Sequence, residues 1–251
     1  MKKSNLNTTS LESQLEYLKL NSIRQNYASA CSLAAQNKTP HIDLLATLVD
    51  AEASARQDKA LARRISAARF PNIKTLEQFS WSWPKQVNEL QVKNLFRLTF
   101  LKQKANVIFL GGVGLGKTHL AIALGHSACL QGYSVLFTTA IDAINSLSSA
   151  LAQGRLKQEL ARFSKPQLLI LDELGYLPID KRGADLLFQI ISQRYELGSI
   201  VITTNRAYKN WPEIFNNDAT LTSALLDRLL HHAENIQISG QSFRMKDKIE
   251  E

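Results

Sequence analysis

Two rhythms of apolar residues divide this chain. In its first third, Leu11, Leu15, Leu18, Ile23, Tyr27 and Cys31 recur mostly three to five positions apart, as on one helix face. Asn37-Lys38-Thr39-Pro40 breaks that pattern, with Thr39 placed to cap a new helix and Pro40 to open it. A second helix is expected over about 41–68, with Ile42, Leu45, Val49, Leu61 and Ile65 on its apolar side. Residues 1–69 can therefore build at most a helical hairpin or small bundle. A linker, 70–104, follows. It carries Phe79, Trp81, Trp83 and Pro84 and ends in a short helix over roughly 85–102. From 105 to 251 the rhythm changes. Apolar runs at 106–110, 133–139, 167–172, 199–204 and 235–239 alternate with helical stretches near 117–131, 141–163, 181–197 and 219–232. Such alternation argues for an α/β domain with a five-stranded parallel sheet covered on both faces. Ligands of such sheets sit beyond the carboxyl ends of the strands.

Charge sharpens this division. The formal net charge is +8 over 251 residues. Residues 1–104 carry 16 Lys and Arg against 8 Asp and Glu, whereas 105–251 carry 14 of each. The densest cluster is Arg56, Lys59, Arg63, Arg64, Arg69 and Lys74, opposed only by Asp58. It suggests a polyanion partner, nucleic acid first. A solvated helix face explains such a cluster equally well. No apolar run approaches the ~20 residues of a membrane span, so no membrane is expected. Cys31 and Cys129 lie far apart in helix-like surroundings and read as small buried hydrophobes, which suits the cytoplasm.

The chemistry begins at the first strand of the second part. Gly111-Gly112-Val113-Gly114-Leu115-Gly116-Lys117-Thr118 fits the phosphate-loop pattern, with Val107–Leu110 before it and a helix-like run from His119 after it. Glycines let backbone N–H groups curl around an anion, and the helix N-terminus adds its positive end. Lys117 can reach the outer phosphates and Thr118 offers a hydroxyl to Mg²⁺. Leu168–Leu171 ends in Asp172 and Glu173, a buried-strand run closed by two acids. Asp172 is placed to hold Mg²⁺ with Thr118, and Glu173 to act as general base toward an attacking water. The 54 residues from Thr118 to Asp172 contain one further strand, Val135-Leu136-Phe137, leaving room for an inserted strand between the loop strand and the acid strand. Ile200–Asn205 puts Asn205 at the tip of another strand, where it can sense the γ-phosphate. Arg228 lies on a helix and is a candidate finger for a neighbour's phosphate, or else part of a salt bridge with Asp227 or other surface acids. Arg244 follows the last strand and could reach phosphate within its own subunit; Arg194 is a further candidate. His231 and His232 are given no metal role, because adjacent helical residues point to different faces.

With these residues in place, the chain resembles the IstB-type transposition ATPases, AAA+ proteins encoded beside the transposase of an insertion sequence. The resemblance is carried by Gly111–Thr118, with His119, and by Leu168–Glu173 followed by Leu174–Pro178. It continues through Ile191–Glu196, Ile202–Asn205, Asp218–Thr220 with Leu225–His232, and Ser242–Arg244. It implies ATP and Mg²⁺ as cofactors and a homo-oligomer, ring or spiral, on double-stranded DNA. It further implies delivery of target DNA to a partner transposase, and hydrolysis that dismantles the complex. Arg228 maps to the family's finger and Arg244 to its second sensor. By the same resemblance, the stretch Ala140–Lys165, with Arg155, Lys157, Arg162 and Lys165, corresponds to a DNA-contacting insertion of related initiators. Little chain follows the last strand, so no separate lid domain is expected. Helicase loaders of the DnaC type share the core and remain the alternative; a small-molecule P-loop kinase is a third reading.

Overall fold

The computed structural model describes residues 8–82 and 86–243, so Trp83, Pro84 and Arg244 lie outside the described residues. The chain separates into two compact units, Met1–Arg63 and Arg64–Glu251.

The first unit holds helices α1 (Thr8–Tyr17), α2 (Asn21–Asn37) and most of α3 (His41–Ala68). The single helix expected across Leu11–Cys31 is thus two. Lys19 adopts a left-handed φ of 55°, and the Leu20 N–H reaches back to the Leu15 carbonyl at 2.8 Å. No Gly or Pro marks this break, so apolar spacing alone runs straight across it. The N-terminus of α2 has no cap of its own, since Leu20 offers no side-chain acceptor. Glu52 of α3 supplies it, accepting from the N–H groups of Ser22 at 2.7 Å and Ile23 at 3.2 Å. The same carboxylate accepts from Arg56 Nε at 3.0 Å. Leu15 is buried, but Ile42, Leu45 and Val49 are 70 %, 55 % and 49 % exposed, against expectation. The other arm of the hairpin, α2, is rich in Ala and Ser and too thin to cover them. Cys31 is exposed, which corrects its expected burial.

The second unit opens with Phe70 and the linker, then α4 (Glu89–Leu95) and α5 (Thr99–Lys102). One helix was expected there; Leu98, left-handed at φ 56°, divides it. The order continues β1 (Asn106–Gly111), α6 (Lys117–Leu130), β2 (Val135–Thr139), α7 (Ala140–Ala152), α8 (Leu156–Ser164), β3 (Leu168–Leu174), α9 (Lys181–Arg194), β4 (Ser199–Thr204), α10 (Trp211–Ile214), α11 (Ala219–Leu230) and β5 (Ala233–Ile238). The stretch expected as one helix over 141–163 is α7 and α8, parted where Gly154 turns at φ 69°. All five strands pair in parallel in the order β2-β3-β4-β1-β5. The strand lying between the loop strand β1 and the acid strand β3 is therefore β4; β2, which intervenes in sequence, stands at the edge.

Strand side chains alternate between faces, and both faces are buried. Leu169, Leu171, Ile200 and Ile202 join Ile144, Leu147, Leu187 and Leu225 in one core, under α7, α9 and α11. On the other face α6 lies so close that a Cβ on Gly125 would meet Ile170 Cδ1 at 2.6 Å and Phe70 Cε1 at 2.9 Å. No helix among the described residues is long and apolar enough to cross a membrane.

Candidate functional site

At the carboxyl end of β1 the chain turns through Gly112–Gly116 into α6. Gly114 and Gly116 have φ of +76° and +87°, a region L side chains rarely adopt. Space forbids side chains there as well: a Cβ on Gly114 would lie 2.0 Å from Ser242 Oγ, and one on Gly116 2.6 Å from Phe79 Cε2. Lys117 opens α6 and is 4 % exposed. Its Nζ donates to the Gly112 carbonyl at 2.6 Å, so the ammonium is held inside the turn of the loop. The glycine-lined turn, the ammonium within it and the helix N-terminus together form a cradle for an anion. The Phe243 N–H donates to the Gly114 carbonyl at 2.9 Å, fixing the segment after β5 to the loop.

Beside the loop lies a cavity of about 440 Å³. Pro71, Asn72, Lys74, Gln78 and Phe79 form one wall; Gly114–His119 form another; Glu173, Tyr176 and Phe243 complete it. The linker is held there by His119, whose Nε2 pairs with the Thr75 carbonyl at 2.8 Å. Phe79 packs edge-on against His119 and Trp81, with ring centroids 5.5 and 4.9 Å apart. The linker aromatics Phe79 and Trp81 thus pack this segment onto the α/β unit.

Thr118, Asp172 and Glu173, which sequence alone assigned by residue type, come together here. Thr118 Oγ1 donates to the Asp172 carboxylate at 2.9 and 3.1 Å. Asp172 is 4 % exposed. Glu173 next to it is exposed and lines the cavity. Thr203, at 1 % exposure, joins them: its hydroxyl donates to Asp172 Oδ1 at 2.5 Å and accepts from the Glu173 N–H at 2.9 Å. Sequence reasoning passed over Thr203; the signal was a polar residue inside an otherwise apolar strand run. Asn205 follows the same strand, and its buried Oδ1 has no hydrogen-bond partner among the described residues.

Each observation fits a nucleoside triphosphate with Mg²⁺. The loop places the Lys117 ammonium and the N-terminus of α6 beside the cavity of about 440 Å³. The hydroxyl–carboxylate pair is a hard-oxygen donor set suited to Mg²⁺, and the orphaned Asn205 oxygen is a polar group awaiting a partner. Thr118 and Asp172 would hold the ion, and Gly111–Thr118 the phosphates.

Other candidates are placed elsewhere. Arg228 is half-buried on α11; its Nη1 donates to the Ala224 carbonyl at 2.8 Å. Its guanidinium stacks 4.9 Å over Phe188, where an ion pair with Asp227 was the alternative. Arg194 is no candidate for phosphate: it is 1 % exposed, and its guanidinium binds the carbonyls of Phe163, Ser164, Pro166, Gln167 and Ser199. The reason given for setting His231 and His232 apart fails, because α11 ends at Leu230 and their rings lie 4.1 Å apart. Of the basic cluster, Arg56 is tied to Glu52 and to the carbonyl of Lys19. Arg64 donates to the Cys129 carbonyl at 3.4 Å, and Lys74 lines the cavity. Lys59, Arg63 and Arg69 are exposed, as are Arg155 and Lys157 at the α7–α8 turn.

A phosphate loop, a buried acid beside its threonine and a β2-β3-β4-β1-β5 parallel sheet define a P-loop protein of the AAA+ fold. Solved structures agree on that fold. The DnaC helicase loader superposes with a TM-score of 0.51 at 22 % identity, over 60 % of this chain and 87 % of that one. DnaA from Aquifex aeolicus bound to AMPPCP gives 0.56 at 23 % identity, over 72 % of this chain and 55 % of that one. In sequence, residues 13–251 match the family described as IstB-like ATP binding protein, and the chain belongs to it. It is similar to the ATP-binding protein of insertion sequence IS232 from Bacillus thuringiensis subsp. berliner, 38 % identical over 237 residues and 94 % of both chains. It is equally similar, 38 % over 238 residues, to that of IS21 from Pseudomonas aeruginosa, covering 95 % of this chain and 89 % of that one.

Proposed function

We propose that this chain is an ATPase that assembles on double-stranded DNA as a homo-oligomer, presents target DNA to a partner transposase and hydrolyses ATP to let the assembly come apart. The supporting observation is where Arg228 stands. Asn106, at the start of β1, donates to the Leu229 carbonyl at 3.0 Å, which pins the end of α11 to the amino edge of the sheet. The phosphate loop leaves the opposite end of the same strand, roughly 17 Å of extended chain away. An arginine there is suited to a neighbour's nucleotide rather than its own.

In this reading the Glu173 carboxylate takes a proton from a water that attacks the γ-phosphorus. The bond from that phosphorus to the β-bridging oxygen breaks, and ADP and phosphate leave. Lys117 offsets charge on the outer phosphates, and Thr118 and Asp172 would hold a Mg²⁺ ion that would supply further neutralisation of phosphate charge. Asn205 orients the water, and Arg228 of an adjoining subunit meets the charge that develops in the transition state. Arg244 is assigned to the same-subunit phosphate on sequence alone. The exposed Lys59, Arg63, Arg69, Arg155 and Lys157 serve phosphate contacts with DNA, and binding should weaken steeply with salt.

Mixing two dead variants tests the shared site. Arg228→Ala and Glu173→Gln should each bind ATP without turning it over, and mixing them should restore hydrolysis, because some interfaces then pair an intact Glu173 with an intact Arg228. Absence of restoration at every mixing ratio would overturn the shared site. DNA retention that is identical with ATP, ADP and no nucleotide would overturn the coupling. Co-purification with a replicative helicase and selection for single strands would point to a helicase loader instead.

A further inference from the structure

We infer that Thr203 is a positioning residue for hydrolysis: its hydroxyl closes a bulge in β3 and so aims Glu173 into the nucleotide cavity. The inference rests on the ATPase reading above and adds to it the device that sets the direction of the base.

The register of β3 against β4 carries it. Pairing runs evenly from Leu168↔Ser199 to Leu171↔Ile202 and then jumps to Leu174↔Thr204. Asp172 and Glu173 therefore face the single residue Thr203, two against one, which is a β-bulge. In an even strand a further ladder bond would continue the pairing. Here the Glu173 N–H turns instead to Thr203 Oγ1 at 2.9 Å. That oxygen spends its one proton on Asp172 Oδ1 at 2.5 Å. Its donor and acceptor roles are thus both used, and in one direction only. Glu173 sits at φ +60°, a strained value for a residue with a side chain. Its neighbours on both sides, Asp172 and Leu174, are buried while Glu173 is exposed. The bulge thus separates two adjacent carboxylates into a buried one facing Thr118 and an exposed one facing the cavity. Valine would fill the same buried volume as Thr203, so the hydroxyl, not the shape, is what the site uses.

The experiment compares Thr203→Val, Thr203→Ala and Thr203→Ser in the full-length chain with DNA present. Thr203→Val should bind a fluorescent ATP analogue as wild type does, yet lose kcat by about 10²-fold, the cost of a misplaced base. Thr203→Ser should recover most of that loss. Hydrogen exchange over 168–176 supplies a reading independent of activity: the Glu173 amide should exchange faster in Thr203→Val than in wild type. Thr203→Ala carries the same expectations should the valine variant not fold. An unchanged kcat in a folded Thr203→Val or Thr203→Ala protein, or unchanged amide exchange, would overturn the inference. A wild-type protein that turns over no ATP with DNA present would instead overturn the ATPase reading, and amide exchange would still judge the bulge.

Discussion

Replacing Arg194 by Met should cost folding stability and leave the chemistry intact. Methionine keeps an unbranched apolar stem of similar length but removes the guanidinium. That group bonds five main-chain carbonyls, at 2.8 Å to Phe163, 3.2 Å to Ser164, 2.8 Å to Pro166, 3.2 Å to Gln167 and 2.7 Å to Ser199. Phe163 and Ser164 are the last residues of α8, whose carbonyls no longer find partners inside the helix. Four terminal N–H groups make these bonds. At about 1.5 kcal/mol for each bond to a charged donor, their loss is worth roughly 6 kcal/mol. Burial works the other way, pushing the guanidinium down to about 10. Removing the charge recovers roughly 3 kcal/mol of that desolvation. The net expectation is a loss of about 3 kcal/mol, or a Tm lower by about 6–12 °C for a unit of this size. Thermal unfolding followed by circular dichroism measures it, and ATPase assays well below the new Tm should match wild type. A Tm within about 2 °C of wild type would refute the capping argument. A variant of unchanged Tm that cannot hydrolyse ATP would return Arg194 to the catalytic candidates.

Two further outcomes are expected. Gly116→Ala adds a Cβ 2.6 Å from Phe79 Cε2 at a φ of +87°. Either the loop or the linker wall must move, and affinity for a fluorescent ATP analogue should fall by about tenfold or more; unchanged affinity would show that the loop relaxes freely. Burial alone would push the Glu52 carboxyl up, but hydrogen bonds from Arg56 and from the N–H groups of Ile23 and Ser22 outweigh it and hold it below its ordinary 4.5. A carboxyl lowered in the folded state contributes stability that is complete above its unfolded pKa and lost as pH falls through the folded value. Circular dichroism from pH 6 to 2 should show the stability gap between wild type and Glu52→Gln closing below 4.5; a gap independent of pH would argue against this cap.

The five strands and the phosphate loop were legible because each rests on a local rule: a short apolar run, a turn of glycines, an acid at a strand's end. What stayed hidden depended on partners far away in sequence. The breaks after Tyr17 and at Leu98 use left-handed Lys19 and Leu98, residues that carry no turn signature. Arg194 looked like a free cation because nothing in its own helix shows the carbonyls that surround it. Ile42, Leu45 and Val49 have the spacing of a core stripe without a core to enter. That β4 separates β1 from β3 is a fact of topology, and so is the meeting of Thr203 with two carboxylates.

The tie between Phe243 and the Gly114 carbonyl has a mechanical result. The tail of the polypeptide is spliced to the rim of the triphosphate nest, with Ser242 filling the hollow that Gly114 leaves. Any flexing of that rim as an anion enters or departs would be felt at Phe243. A disturbance of the rim therefore need not cross the sheet beneath to be felt beyond β5.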